Sequence, residues 1–110
     1  MNTLELEGAA LDWAVAKCEG NCEGDFSWYY DRRDTFNYST DWAQGGPIIE
    51  RERIGIDCDD QGVWFASFDL SAETALGSSA LTPLIAAMRC YVSSKLGDDV
   101  DVPKEIDAKV

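Results

Sequence analysis

Carboxylates and aromatic rings dominate the groups in this chain that could do chemistry, and histidine is absent. That absence removes the commonest general base, the usual serine and cysteine triads and the commonest metal ligand. The densest concentration of polar, aromatic and conformationally special residues is the run from Ser39 to Glu52, which holds Asp41, Trp42, Gln44, Gly45, Gly46, Pro47 and Arg51. Gly45 and Gly46 reach backbone angles closed to other residues, and Pro47 fixes its own φ and restricts Gly46, so a specific bend is expected there. Asp41, Trp42, Gln44 and Arg51 would edge an exposed aromatic groove, since tryptophan joins a large contact area to a polar tip. These four residues with Gly45 and Gly46 are the candidate binding residues.

Other chemistries are weaker. An anion cradled by Gly45-Gly46 ahead of a helix opening at Pro47 would exploit helix-start N–H groups, but Pro47 has none and no lysine follows at phosphate-loop spacing. Asp57-x-Asp59-x-Gln61-Gly62 resembles the opening of a calcium loop, yet Phe68 stands where the bidentate acid belongs, so a hairpin turn explains these residues better. Cys18, Cys22, Cys58 and Cys90 contain one close pair, whereas a four-thiolate zinc site draws on two. Reduced thiols are the expectation, with no metal and no cofactor. No two of the 21 acids are singled out for paired-carboxylate chemistry. No catalytic residue is assigned, and the reading leans away from an enzyme.

The elements that must position these residues fit one domain over 1–110, with the last few residues frayed. A first helix is expected over about 8–19, where Leu4, Leu11, Val15 and Cys18 share a stripe and Gly20 stops it. Trp13 lies off that stripe and either widens the buried face or sits on the surface. Alternation predicts a hairpin of Phe26–Tyr30 with Thr35–Tyr38, turning at Asp31–Asp34. Pro47 opens a single helical turn through Glu50, or the run is extended to Ile56. Arg53–Asp57 and Val63–Asp69 read as antiparallel strands about a turn at Asp59–Gly62. Ser71–Ala80 reads as loop. Thr82 caps and Pro83 opens a second main helix to Leu96, its stripe formed by Leu84, Ile85, Met88, Tyr91, Val92 and Leu96. Val100, Val102 and Ile106 of the tail are expected to dock. The fold class is therefore α+β: a small antiparallel sheet of three to five strands with the two main helices, about 8–19 and 83–96, packed on one face.

Nine basic against 21 acidic residues give a formal charge of −12, which opposes direct contact with nucleic acid phosphates. Apolar runs are too short to span a bilayer and the N-terminus lacks a signal-peptide pattern, so a cytoplasmic protein without membrane contact is expected.

Three blocks resemble the NinX family of small bacteriophage and prophage proteins: Gly8-Ala9-Ala10-Leu11-Asp12-Trp13-Ala14-Val15-Ala16-Lys17 with Glu19-Gly20, the run Ser39 to Arg53, and Thr82-Pro83-Leu84-Ile85-Ala86-Ala87-Met88-Arg89-Cys90-Tyr91-Val92. Lys95-Leu96-Gly97 extends the last block. The resemblance implies a phage-encoded accessory protein of unassigned biochemical function in the bacterial host cytoplasm, and it brings no catalytic residues with it. The expected role is an interaction module acting on a host or phage protein. The alternatives are a small-molecule or nucleotide-binding protein using the 39–52 bend, and an acidic polyanion mimic. Self-association through an uncovered sheet face is a separate expectation.

Overall fold

One helix organises the fold. The computed structural model describes residues 2–20, 35–68, 78–97 and 99–100, and in it three α-helices and three strands follow a 3-10 turn at Thr3–Glu5. They run α1 (Gly8–Cys18), α2 (Trp42–Glu52), β1 (Gly55–Cys58), β2 (Trp64–Ser67), β3 (Ser78–Ala80) and α3 (Pro83–Leu96). The sheet is an antiparallel meander in the order β1-β2-β3. Helix α3 packs on all three strands, and α1 and α2 pack on α3. The α+β class is as expected from the sequence.

The ends of α3 are set by local chemistry. Thr82 Oγ1 accepts the Ile85 N–H at 3.2 Å, Pro83 takes the first position and Gly97 ends the helix at φ +83°. Burial reaches further round the helix than one stripe: Leu84, Ala86, Ala87, Met88, Cys90, Tyr91 and Val92 are buried, while Ile85 and Leu96 are half-buried. A helix flanked by a sheet and by two other helices is buried round most of its circumference, with Ser94 and Lys95 left exposed near its end. Helix α1 behaves likewise, buried continuously from Ala10 to Ala16, and this places Trp13 in the core.

In the sheet the register pairs Ile56 with Ala66 and Cys58 with Trp64, and Trp64 with Ala80. Strand periodicity puts these on the α3 side, where Ile56, Trp64, Ala66 and Ala80 join the core. Asp57, Phe65 and Ser79, also in register, lie on the other face, where Phe65 is exposed. The β1–β2 turn is closed by Asp59, whose Oδ1 accepts the N–H groups of Gln61 and Val63, each at 2.9 Å, with Gly62 at φ +85°.

Several expectations are corrected. The bend at 45–47 is helical: α2 runs through Gly45, Gly46 and Pro47, and neither glycine has positive φ. Residues 48–52, expected as a single helical turn or as part of an extended run to Ile56, are the second half of a three-turn helix, and the strand expected from Arg53 begins at Gly55. Arg53 is the left-handed residue (φ 57°) of a closing motif in which Ile54 N–H reaches Ile49 O at 3.0 Å. Thr35–Tyr38 form no strand but lead into a turn, with Tyr38 in the core. Ser78–Ala80 form a strand where a loop was expected. The proposed strand Phe26–Tyr30 and its turn, residues 71–77, Cys22, and Val102 and Ile106 lie outside the described residues; Val100 is buried, and an isolated bridge pairs Asn2 with Asp99.

Candidate functional site: an aromatic-lipped groove between α2 and α3

The start of α2 is built by side chains that the sequence marks as candidate binding groups. Asp41 is its N-cap, its Oδ1 accepting the Ala43 N–H at 2.9 Å. Gln44 folds back, and its Oε1 accepts the Asn37 N–H at 2.8 Å. Asp41 and Gln44 thus hold the turn through which the chain enters the helix. From the other side the buried Asp12 of α1 accepts the Ser39 N–H at 2.8 Å. Burial raises the Asp12 carboxyl above its ordinary range, with the Ser39 groups pulling the other way. The Ser39 hydroxyl is itself buried with no hydrogen-bond partner, although it lies close enough to Asp12 to favour the charged carboxylate.

Trp42, the first residue of α2, stands 53% exposed. It forms one lip of an open groove of about 250 Å³ whose other walls are Thr40, Thr82, Pro83, Leu84 and Ile85, with Ser39 at its base. The groove lies where the first turns of two helices meet, because Gly45 lets α2 come against Leu84. An aromatic lip over aliphatic walls excludes water from whatever side chain enters it.

Arg51 belongs to a different place. Nine residues further along α2, roughly 13 Å at helical rise, its guanidinium binds the Glu19 carboxylate through both terminal nitrogens, at 3.1 and 2.6 Å. Its Nε donates to Glu52 at 2.9 Å, and Nη2 also reaches the Tyr91 hydroxyl at 3.2 Å. That hydroxyl donates to Glu19 at 2.5 Å, and Lys95 lies 3.8 Å from Glu52. The network ties the C-terminal ends of α1 and α2 to α3. Arg51 holds the Glu19 carboxyl below its usual range, while burial, and then Glu19 itself, pushes the Tyr91 phenol up.

Of the six candidate residues, then, Trp42 alone lines the groove. Asp41 and Gln44 secure the turn behind it, Gly45 and Gly46 lie within the helix, and Arg51 is engaged at its far end. The groove residues that sequence reasoning missed are Thr82 to Ile85. They were legible as a helix start, but nothing local says that a helix start forty residues away meets Trp42.

A second hollow, of about 430 Å³, adjoins the first and shares Ile85 with it; Arg89, Glu7, Val63, Ser79 and Leu81 border it. Arg89 donates to two main-chain carbonyls, from Nε to Leu6 O at 2.6 Å and from Nη1 to Ser79 O at 2.8 Å. Burial lowers its pKa, an effect opposed by Glu7 and Glu5 nearby. Among the described residues there is no cluster of three or more potential metal ligands, and no helix is long and apolar enough to cross a membrane.

These features define a small acidic α+β protein that carries an apolar groove beside an exposed tryptophan. The chain belongs to the family described as Bacteriophage P22, NinX, which matches residues 2–95. It is accordingly a phage accessory protein of a family whose function is unknown. No curated protein matches it.

Proposed function

We propose that the protein is an interaction module, acting in the bacterial host cytoplasm on a host or phage protein that it binds through the Trp42 groove. The observation that carries this reading is the half-exposed Trp42 ring beside Pro83, Leu84 and Ile85. Tryptophan at the edge of an apolar recess is the residue type most enriched among energetic anchors of interfaces. The polar side chains around it, Asp41 and Gln44, are used to fix the backbone that presents it. A preorganised anchor loses little conformational entropy on binding.

The test is affinity capture from phage-infected bacterial cells with the native chain, Trp42→Ala and Phe65→Ala, followed by titration of the captured protein in purified form. The reading expects one partner retained by the native chain and by Phe65→Ala and lost with Trp42→Ala, while all three unfold at similar temperatures. Equal capture by Trp42→Ala would sink it.

A further inference from the structure

We propose that the interaction surface extends past the Trp42 groove into the adjoining hollow, and that its occupant is a basic, apolar-anchored segment of a partner protein. This rests on the preceding reading and names the partner's chemistry. Continuity is the first observation. The half-buried Ile85 side chain is the shared wall of both recesses, and beyond it stands Leu81, 81% exposed. Four large apolar side chains are exposed among the described residues, and Trp42 and Leu81 flank these two recesses. A lone exposed leucine is ordinary, whereas two large apolar residues on either side of a shared recess make a contiguous patch of the kind that marks binding surfaces.

Charge decides what covers the patch. Asp41 stands beside Trp42 at one end and Glu7 borders the hollow at the other. Val63, which also lines it, is hydrogen-bonded through both its N–H and its carbonyl to Asp59, next to the exposed Asp60. The one cation in the lining is Arg89, whose nitrogens serve Leu6 and Ser79 and whose charge is offset by Glu7 and Glu5. Two carboxylates, Glu7 and Glu5, thus act on the single cation Arg89, and with Asp41 and the Asp59-Asp60 turn adjoining the lining residues the surroundings of the apolar floor carry net negative charge. A second copy of this chain would bring the same rim and the same net charge of −12, so like charges oppose self-pairing here. A segment with lysine or arginine flanking apolar anchors satisfies both parts of the surface.

The experiment uses a fluorescein-labelled peptide of leucine and lysine, with leucines at helical i, i+3, i+4 spacing, and its leucine–glutamate counterpart. Fluorescence anisotropy is read with the native chain, Trp42→Ala, Leu81→Asp and a Phe65→Asp control on the opposite sheet face. Leu81→Asp adds a negative charge, so unspecific attraction of a cationic peptide would strengthen, whereas docking at the patch weakens by about tenfold or more. The expected result is binding of the lysine peptide alone, weakened by Leu81→Asp and by Trp42→Ala, and not weakened by Phe65→Asp. Loss with Trp42→Ala and none with Leu81→Asp overturns the extension and leaves the Trp42 groove standing; loss with neither overturns both. Equal binding of the glutamate peptide overturns the charge argument. Sedimentation showing a dimer that Leu81→Asp dissociates makes a second copy the occupant and overturns the proposal. Circular dichroism checks that each variant keeps the native fold.

Discussion

Gly45 on α2 packs directly against Leu84 on α3. A Cβ on Gly45 would stand 2.5 Å from Leu84 Cδ1 and 2.5 Å from the Tyr38 carbonyl oxygen. The carbonyl belongs to main chain held by the Asp12 and Gln44 contacts, so it cannot retreat as a side chain would. Gly45→Ala should therefore destabilise by about 1–3 kcal/mol through overpacking, despite alanine's better helix propensity. The neighbouring glycine is the control: a Cβ on Gly46 meets only Trp42 Cε3 at 3.9 Å. There the propensity gain is offset by the clash between a Cβ and the Pro47 ring, and Gly46→Ala should stay within about 1 kcal/mol of the native chain. Urea unfolding of the pair checks this, and equal effects at both positions would contradict it.

Pro47 sits inside α2, on an exposed position. It donates no N–H to the Ala43 carbonyl, and its ring crowds that group. Pro47→Ala supplies the missing bond and should stabilise the protein, by up to about 3 kcal/mol on host-peptide scales. Unfolding curves read the gain; a loss of stability would mean that the ring is needed to shape the helix.

What was legible in the sequence and what was not follows from the range of the forces involved. Helix α3 announces itself because Thr82, Pro83 and Gly97 act on their own backbone neighbours. The β1–β2 turn does so through Asp59 and Gly62. Helix α2 was obscured by Gly45, Gly46 and Pro47, which local preference reads as a bend. The glycine at 45 answers instead to Leu84, a residue distant in sequence. Its start did carry a signal, since Asp41-x-x-Gln44 has capping-box spacing, but its end has Arg53 in the left-handed position where glycine is usual. For the site, exposure of Trp42 could be suspected from its surroundings. Its groove partners could not, because tertiary packing alone brings Thr82 to Ile85 beside it. Arg51 carries no local sign of its partners, because Glu19 lies just past the end of α1 and Tyr91 on α3.

The cysteines should differ sharply in reactivity. Cys58 is exposed on β1, whereas Cys90 is buried in α3, and burial pushes its thiol up to about 11. The thiolate is the reactive species, so Cys90 should resist alkylation at pH 8 until the protein unfolds. Iodoacetamide labelling mapped by mass spectrometry should find Cys58 modified in the native chain and Cys90 modified only in denaturant.

The clasp of Glu19, Arg51 and Tyr91 makes a pH-dependent contribution of known sign. Arg51 first, with Tyr91 adding, lowers the Glu19 carboxyl below its ordinary value of 4.5. The stabilisation is therefore complete above that value and is lost as pH falls through the depressed folded-state pKa. Arg51 is half exposed, so solvent screens the pair, and Glu19→Gln should cost on the order of 1 kcal/mol at pH 7. Thermal unfolding across the acid range should show a shallower fall for Glu19→Gln than for the native chain below pH 4.5. Parallel curves would place the acid sensitivity elsewhere.

Asp12 should act in the opposite direction. Burial raises its carboxyl above the ordinary 3.8, so between 3.8 and the raised value the folded chain holds a proton that the unfolded chain has released. Stability from this group therefore falls as pH rises through that window, and above it the full cost of the buried charge remains. Asp12→Asn removes the charge while keeping an oxygen for the Ser39 N–H, so its stability should lack this falling component. Asp12→Ala leaves that buried N–H without an acceptor and should be less stable than Asp12→Asn by about 1–3 kcal/mol. Chemical unfolding from pH 3 to 7, comparing both variants with the native chain, separates the two effects. If the ionised carboxylate were instead a net stabiliser through Ser39, Asp12→Asn would lose ground to the native chain as pH rises.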